Sequence, residues 1–130
     1  MRRYTRDHTW VQAEGTRARI GLSDFAQSEL GEIAYVDLPR PGARVARGDL
    51  VCTVESLKSS SEVYAPVSGT VVEVNTALAS EQNASLVNRD PLGEGWLVLV
   101  EMDDAEELGP LLAEEEYAAY TEGAESARGS

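Results

Sequence analysis

Short strand-like runs of apolar and β-branched residues, separated by glycine, proline and polar segments, dominate the chain. The clearest pair runs from Leu50 to Val54 and from Val63 to Val74, on either side of a polar segment from Glu55 to Glu62. Two such runs around a polar tip predict a β-hairpin. Lys58 lies near the middle of the tip, where we expect it to face solvent.

Further strands are predicted on both sides of this hairpin. We expect two short strands between residues 10 and 22 around a Glu14-Gly15 turn, one from Glu32 to Leu38, one from Thr70 to Val74 and one from Trp96 to Met102. Pro41-Gly42 suits the centre of a type II turn, where glycine supplies the positive φ. About seven short strands, with helices confined to inserts and the C-terminus, predict a mainly antiparallel β sandwich or barrel.

Helical patterns are confined to a few segments. Ser23 to Gly31 has a serine in the N-cap position and a glycine where the helix should stop. Asp103-Asp104 is a helix-start signal before segments 105–108 and 113–120, which Gly109-Pro110 separates. Between Asn75 and Leu92 the pattern is weak, and we expect one helical turn at 77–79 and a polar loop at 80–85. Residues 121–130 are small and polar, which predicts a disordered C-terminal tail.

The composition indicates one acidic domain. A chain of 130 residues with 42% hydrophobic content can bury one ordinary core, which we assign to residues 1–120. The formal net charge of −12 argues against nucleic-acid binding, which normally depends on clustered Lys and Arg. No stretch has the length and apolarity of a membrane span, and no apolar segment follows Met1-Arg2-Arg3-Tyr4 to make a signal peptide. We therefore expect a cytoplasmic location.

Side chains suited to catalysis are scarce. Cys52 is the only cysteine and stands in an apolar run, so we expect it to behave as a small core hydrophobe rather than a nucleophile. His8 is the only histidine, so any Ser-His-Asp or Cys-His arrangement would depend on it, and a metal ion would lack companion ligands. We predict no catalytic residue and no metal site, which disfavours a small hydrolase or lyase.

Lys58 is the only lysine among eleven basic residues. An exposed lysine on a hairpin usually needs no functional explanation. However, a lysine amine can be acylated or form a Schiff base, whereas a guanidinium does not lose its proton to do so. The neighbouring Glu55 and Glu62 favour the charged amine, so Lys58 is predicted to be an attachment point rather than a base.

The tip and its flanks resemble a known family. The segment Glu55-Ser56-Leu57-Lys58-Ser59-Ser60-Ser61-Glu62-Val63-Tyr64-Ala65-Pro66-Val67-Ser68-Gly69 is similar to the lipoyl-attachment hairpin of the glycine cleavage system H-protein family. The resemblance continues through His8-x-Trp10-Val11, Ile20 to Gln27, Leu30 to Ile33, Val36 to Pro39, Val72 to Asn75, Leu86 to Asn88 and Asp90 to Trp96. Biotin carriers share the general fold but usually centre on Met-Lys-Met, which this tip lacks.

The resemblance implies a barrel-sandwich hybrid of two small sheets, with lipoic acid in amide linkage to Lys58. It implies a carrier that catalyses nothing itself and visits three enzymes. These are a pyridoxal-phosphate-dependent glycine decarboxylase (P protein), a tetrahydrofolate-dependent aminomethyltransferase (T protein) and dihydrolipoyl dehydrogenase (L protein). A lipoyl ligase or lipoyl transferase is a fourth implied partner. We expect Glu55, Ser56, Glu62 and Gly69 to contribute to recognition by the lipoyl ligase and the other partners, and the chain to be a monomer.

The chain departs from the family pattern at three places. Thr9 stands between His8 and Trp10, where the family usually has an acidic residue expected to help receive the loaded arm. The loop 77–85 is longer than usual, and Gly109-Pro110 interrupts a segment that is normally helical. Thr9 leaves open a second hypothesis, an H-like lipoyl carrier that serves as a lipoate relay to 2-oxoacid dehydrogenases or as a redox adaptor.

Overall fold

The computed structural model describes residues 2–80 and 82–129, and the side chains of these residues up to 122. The strands are β1 (Arg2–Tyr4), β2 (Thr9–Glu14), β3 (Arg17–Leu22), β4 (Ile33–Asp37), β5 (Arg44–Val45), β6 (Leu50–Ser56), β7 (Ser60–Tyr64), β8 (Gly69–Val74) and β9 (Val98–Met102). The helices are α1 (Asp24–Leu30), α2 (Leu86–Arg89) and α3 (Glu114–Gly129), with short 3-10 helices at Thr76–Ala79 and Ala105–Leu108.

The described strands form two antiparallel sheets. Six strands pair in the order β1-β2-β3-β9-β8-β5, and three pair in the order β4-β6-β7. Buried side chains from both sheets, among them Ile20, Val36, Val54 and Val71, belong to one core cluster. The prediction of a mainly antiparallel β fold is therefore confirmed, in the form of two packed sheets whose described strand orders do not close into a barrel.

Alternation along the hairpin strands assigns their side chains to two faces. Val54 and Val63 are fully buried, whereas Glu55 and Glu62 are exposed. Successive side chains of a strand point to opposite faces, so the apolar residues line the core and the acidic ones face solvent. Cys52 is 3% exposed, and burial raises the pKa of its thiol to about 12. Its predicted role as a core hydrophobe is confirmed.

Helix α1 forms as its cap residues predicted. The hydroxyl of Ser23 accepts a hydrogen bond from the Ala26 amide at 3.1 Å, and Gly31 ends the helix with a φ of 78°. The turn at Pro41-Gly42 is also confirmed, because Gly42 has a φ of 94° and the Ala43 amide donates to the Arg40 carbonyl at 3.1 Å.

Three described elements were not predicted, and they are the short ones: β1, β5 and α2. β1 exists because it pairs with β2 and because Tyr4 bridges to Leu112 near the start of α3. β5 has two residues and pairs with β8. Elements of this length depend on tertiary partners more than on their own periodicity.

The C-terminal helix was predicted in part. Its beginning matches the predicted segment 113–120, and the backbone continues as helix to Gly129. Ser130 and the side chains of 123–129 lie outside the described residues, so the disordered tail at 121–130 stays a prediction. Tyr117 is buried, whereas Tyr120 is 39% exposed and donates a hydrogen bond to the Arg6 carbonyl.

Gly69 begins β8 and pairs with Met102 of β9. A Cβ atom on Gly69 would overlap the backbone carbonyl oxygen of Glu101 and lie 2.8 Å from Cγ1 of Val100. Neither obstacle can move easily, because one is backbone in a sheet and the other is a fully buried side chain.

We predict that Gly69→Ala lowers the free energy of unfolding by an amount at the upper end of about 1–3 kcal/mol, the usual cost of overpacking. Gly109→Ala is the matched control, because a Cβ there would lie 3.3 Å from the Glu106 carbonyl oxygen and the backbone φ is −56°. Urea denaturation followed by tryptophan fluorescence measures both variants. Equal stability of the two variants would contradict the close approach of β8 and β9.

Candidate functional site

Lys58 lies in the three-residue connection between β6 and β7. The ladder of the hairpin ends at the pair Glu55 and Ser60, so Leu57, Lys58 and Ser59 extend past the last strand pair. All three are exposed, and Leu57 is the most exposed large hydrophobic side chain of the described residues, at 73%. The amine of Lys58 is therefore accessible to another protein, as predicted.

Ser56 holds the tip together from inside the turn. Its amide donates to the Ser59 carbonyl at 2.8 Å, and its hydroxyl donates to the same carbonyl at 3.0 Å. The same hydroxyl accepts from the amides of Ser59 at 3.0 Å and Lys58 at 3.3 Å. The predicted recognition residue Ser56 thus has a structural role that sequence reasoning missed: it shapes the turn that carries Lys58.

The tip is also attached to the junction between α1 and β4. The Leu57 amide donates to the Glu32 carbonyl at 3.1 Å. The aliphatic part of Lys58 lies over Gly31, with its Cε atom 3.4 Å from the position that a Cβ of Gly31 would take. Gly31 combines the positive φ that ends α1 with the open surface on which the lysine rests.

Asn88, in α2, holds the same junction from the other side. Its Oδ1 accepts from the Ile33 amide at 2.8 Å, and its Nδ2 donates to the Gly31 carbonyl at 2.7 Å and to Oε1 of Gln27 at 3.0 Å. Sequence reasoning assigned Asn88 no role. Its position in the weakest part of the pattern offered no signal beyond its inclusion in the family resemblance.

The solvent face beside the tip is acidic. Glu55 lies opposite Ser60 and Glu62 lies opposite Thr53, which places both carboxylates on the outer face of the three-stranded sheet. The structure therefore brings the predicted residues Glu55, Ser56 and Glu62 together with Lys58. Among the described residues, no ion pair within 4.0 Å includes Lys58.

Gly69 lies apart from the other predicted recognition residues. It is buried in the six-stranded sheet, where it pairs with Met102 and Val45. The approach of β9 already explains why glycine is needed at this position, and a role for Gly69 in partner recognition stays a prediction.

His8 and Thr9 are parts of the packing of the N-terminal region. Nδ1 of His8 lies 2.8 Å from the hydroxyl of Tyr117, which in turn lies 2.6 Å from the hydroxyl of Ser23. Burial is the main cause that raises the pKa of Tyr117 to about 12. Thr9 is 1% exposed and pairs with Leu22, so this chain has a buried neutral residue where the family usually has an acid.

The described residues add neither a metal-binding cluster nor a membrane-spanning helix to the exposed Lys58. Among residues 2–80 and 82–122, no group of three or more His, Cys, Asp and Glu side chains is arranged to hold a metal ion. None of the described helices is long and apolar enough to cross a membrane. What the site offers is one accessible primary amine on an ordered turn.

Comparisons with known proteins agree on one family. The family model described as "Glycine cleavage H-protein" matches residues 2–124. The glycine cleavage system H protein of Thermotoga maritima is 45% identical over 92% of this chain and 95% of its own length. That of Bacillus subtilis is 45% identical over 92% of this chain and 93% of its own length.

A solved structure supports the same assignment. The crystal structure of a glycine cleavage system H protein from Mycobacterium marinum matches with a TM-score of 0.81 and 36% sequence identity, over 92% of this chain and 95% of that one. Sequence and fold therefore agree along nearly the whole chain, and the resemblance found in the tip residues is confirmed. The chain belongs to the glycine cleavage H-protein family.

Proposed function

We propose that the chain is the lipoyl carrier of glycine cleavage and that Lys58 carries the lipoyl group in amide linkage. The observation that supports this most directly is the position of the only lysine, exposed on the turn of the β6–β7 hairpin in a member of this family. The names of the relatives favour glycine cleavage over the alternative of a lipoate relay or redox adaptor.

The residues around Lys58 suit this attachment. The amine is exposed, and Ser56 orders the turn without covering it. Ser59 and Ser60 are small and exposed, so an acylating enzyme can approach from their side. A bound lipoyl group would supply a disulfide–dithiol couple able to carry the aminomethyl group of glycine between enzymes, whereas the chain itself would act only as a carrier.

The proposed partners are the P, T and L proteins and the lipoyl ligase or lipoyl transferase that modifies Lys58. We infer that Glu55 and Glu62 contribute to recognition, because both carboxylates are exposed beside the tip. Such carboxylates steer positively charged partner surfaces toward the amine. We further propose that the carrier is a monomer in the cytoplasm.

We expect incubation with a lipoyl ligase, lipoate and ATP to raise the intact mass of the protein by one lipoyl group. Lys58→Arg should show no increase, since a guanidinium cannot be acylated under these conditions. Intact-mass spectrometry measures both proteins. An unmodified wild-type chain would contradict the proposed attachment, and so would a modified Lys58→Arg variant.

A further prediction separates glycine cleavage from a lipoate relay. If the chain serves glycine cleavage, its lipoylated form should support exchange of labelled bicarbonate into glycine by the glycine decarboxylase. If it is only a lipoate relay, its lipoylated form should support no exchange. The label recovered in glycine is the measurement, with unlipoylated chain as the control. Absence of exchange with fully lipoylated protein would favour the relay and overturn the proposed role.

Another prediction concerns Ser56. Ser56→Ala removes the hydroxyl that bonds to Lys58 and Ser59, at a cost of about 0.5–1.5 kcal/mol per hydrogen bond lost. We expect kcat/KM for lipoylation to fall roughly 2- to 10-fold, because each 1.4 kcal/mol is a factor of about ten.

Ser59→Ala is the control for Ser56→Ala, because the described hydrogen bonds involve only the backbone of Ser59 and leave its side chain out. We expect this variant to be lipoylated at the wild-type rate. If both alanine variants lose the same activity, the hydroxyl of Ser56 is not what orders the tip.

A further inference from the structure

The exposed tip is joined to a distant helix by a chain of hydrogen bonds. It begins at Asn88. Its Oδ1 accepts a hydrogen bond from the Ile33 amide at 2.8 Å, and its Nδ2 donates one to the Gly31 carbonyl at 2.7 Å. These two bonds lie on either side of Glu32. The peptide groups that flank Glu32 are therefore held by one amide side chain that reaches them from α2.

The second step leads from Glu32 to the tip. The carbonyl of Glu32 accepts from the Leu57 amide at 3.1 Å, and Gly31 lies beneath the aliphatic part of Lys58. Leu57 itself is 73% exposed, so side-chain burial does little to hold this part of the turn. The bond to Glu32 is the only described hydrogen bond that joins residues 57–59 to a segment outside the hairpin.

We propose that Asn88 is a positioning residue for the acylation of Lys58. The inference rests on the proposed lipoyl attachment and extends it to a residue 30 positions away in the sequence. Asn88 acts through the junction between α1 and β4: it orients the Glu32 carbonyl, and that carbonyl holds the Leu57 amide next to the reactive lysine.

The expected consequence follows from the cost of ordering a mobile segment on binding. An acylating enzyme that binds the turn must fix it in one conformation, and a turn that is already ordered loses less entropy in that step. Loosening the tip should therefore raise KM for the protein substrate while kcat changes little. The chemical reactivity of the exposed amine should not change.

The test compares Asn88→Ala with Asn75→Ala. Asn75 is a matched control because its Nδ2 also bonds to two backbone carbonyls, those of Glu94 at 2.7 Å and Trp96 at 2.8 Å. None of the described hydrogen bonds connects Asn75 to the tip. Lipoylation kinetics are measured on folded protein, with folding checked by circular dichroism.

We expect Asn88→Ala to lower kcat/KM for lipoylation about tenfold, mainly by raising KM. This size follows from the free energy of the hydrogen bonds that hold the tip and that the variant loses. Asn75→Ala should stay close to wild type. Modification of Lys58 by an N-hydroxysuccinimide ester, a small reagent that needs no ordered turn, should proceed at the same rate in all three proteins. Equal losses of kcat/KM in the two asparagine variants would overturn the inference.

Amide hydrogen exchange gives a readout that does not depend on lipoylation. Exchange at Leu57 should become several times faster in Asn88→Ala, whereas exchange at Ala65, whose amide bonds to Asp49 at the base of the hairpin, should stay unchanged. Wild-type protection at Leu57 in the variant would contradict the proposal. If Asn88→Ala does not fold, Asn88→Asp retains the acceptor for the Ile33 amide and replaces only the donor.

For Asn88→Asp, faster exchange at Leu57 supports the inference and unchanged exchange overturns it. The failure of the inference differs from that of the proposed function. A wild-type chain that no lipoyl ligase modifies would contradict the attachment itself, whereas normal lipoylation of Asn88→Ala would contradict only the role of Asn88.

Discussion

The hydrogen bond from the Leu57 amide to the Glu32 carbonyl joins the exposed turn 57–59 to the junction between α1 and β4. A tip that must stay accessible cannot be held by hydrophobic burial, so directed bonds have to order it. Ser56 provides these bonds within the turn, and Glu32 provides the described one that joins residues 57–59 to a segment outside the hairpin. The accessibility of Lys58 and the order of its backbone thus have separate causes.

Part of this fold could be predicted from the sequence because it depends on neighbouring residues alone. α1 was predictable because Ser23 and Gly31 satisfy the ends of a helix wherever it lies. The hairpin was predictable because its strands alternate between core and solvent. β1 was not, since three residues carry no period and the strand depends on pairing with β2 and Leu112.

In the candidate site, too, residues in a local motif could be predicted, whereas contacts between distant segments could not. Lys58 and Ser56 were found because residue type and a local motif identify them. Asn88 was missed because its partner Ile33 lies 55 positions away, and no spacing in a single sequence indicates such a contact. Gly69 was predicted to contribute to partner recognition, which stays a prediction, and the constraint that the structure shows at this position is the approach of β9.

The charges around Lys58 are arranged in a way that suits the proposed modification. Acylation removes the positive charge of the amine, and this would be costly if the amine held a carboxylate in place. Among the described residues Lys58 forms no such pair, and Glu55 and Glu62 stand exposed on the outer face of the sheet. Because water already solvates these carboxylates, losing the nearby charge leaves no buried ion unpaired. Acylation of Lys58, as proposed, would therefore break no ion pair among the described residues, which suits a carrier that exists with and without its group.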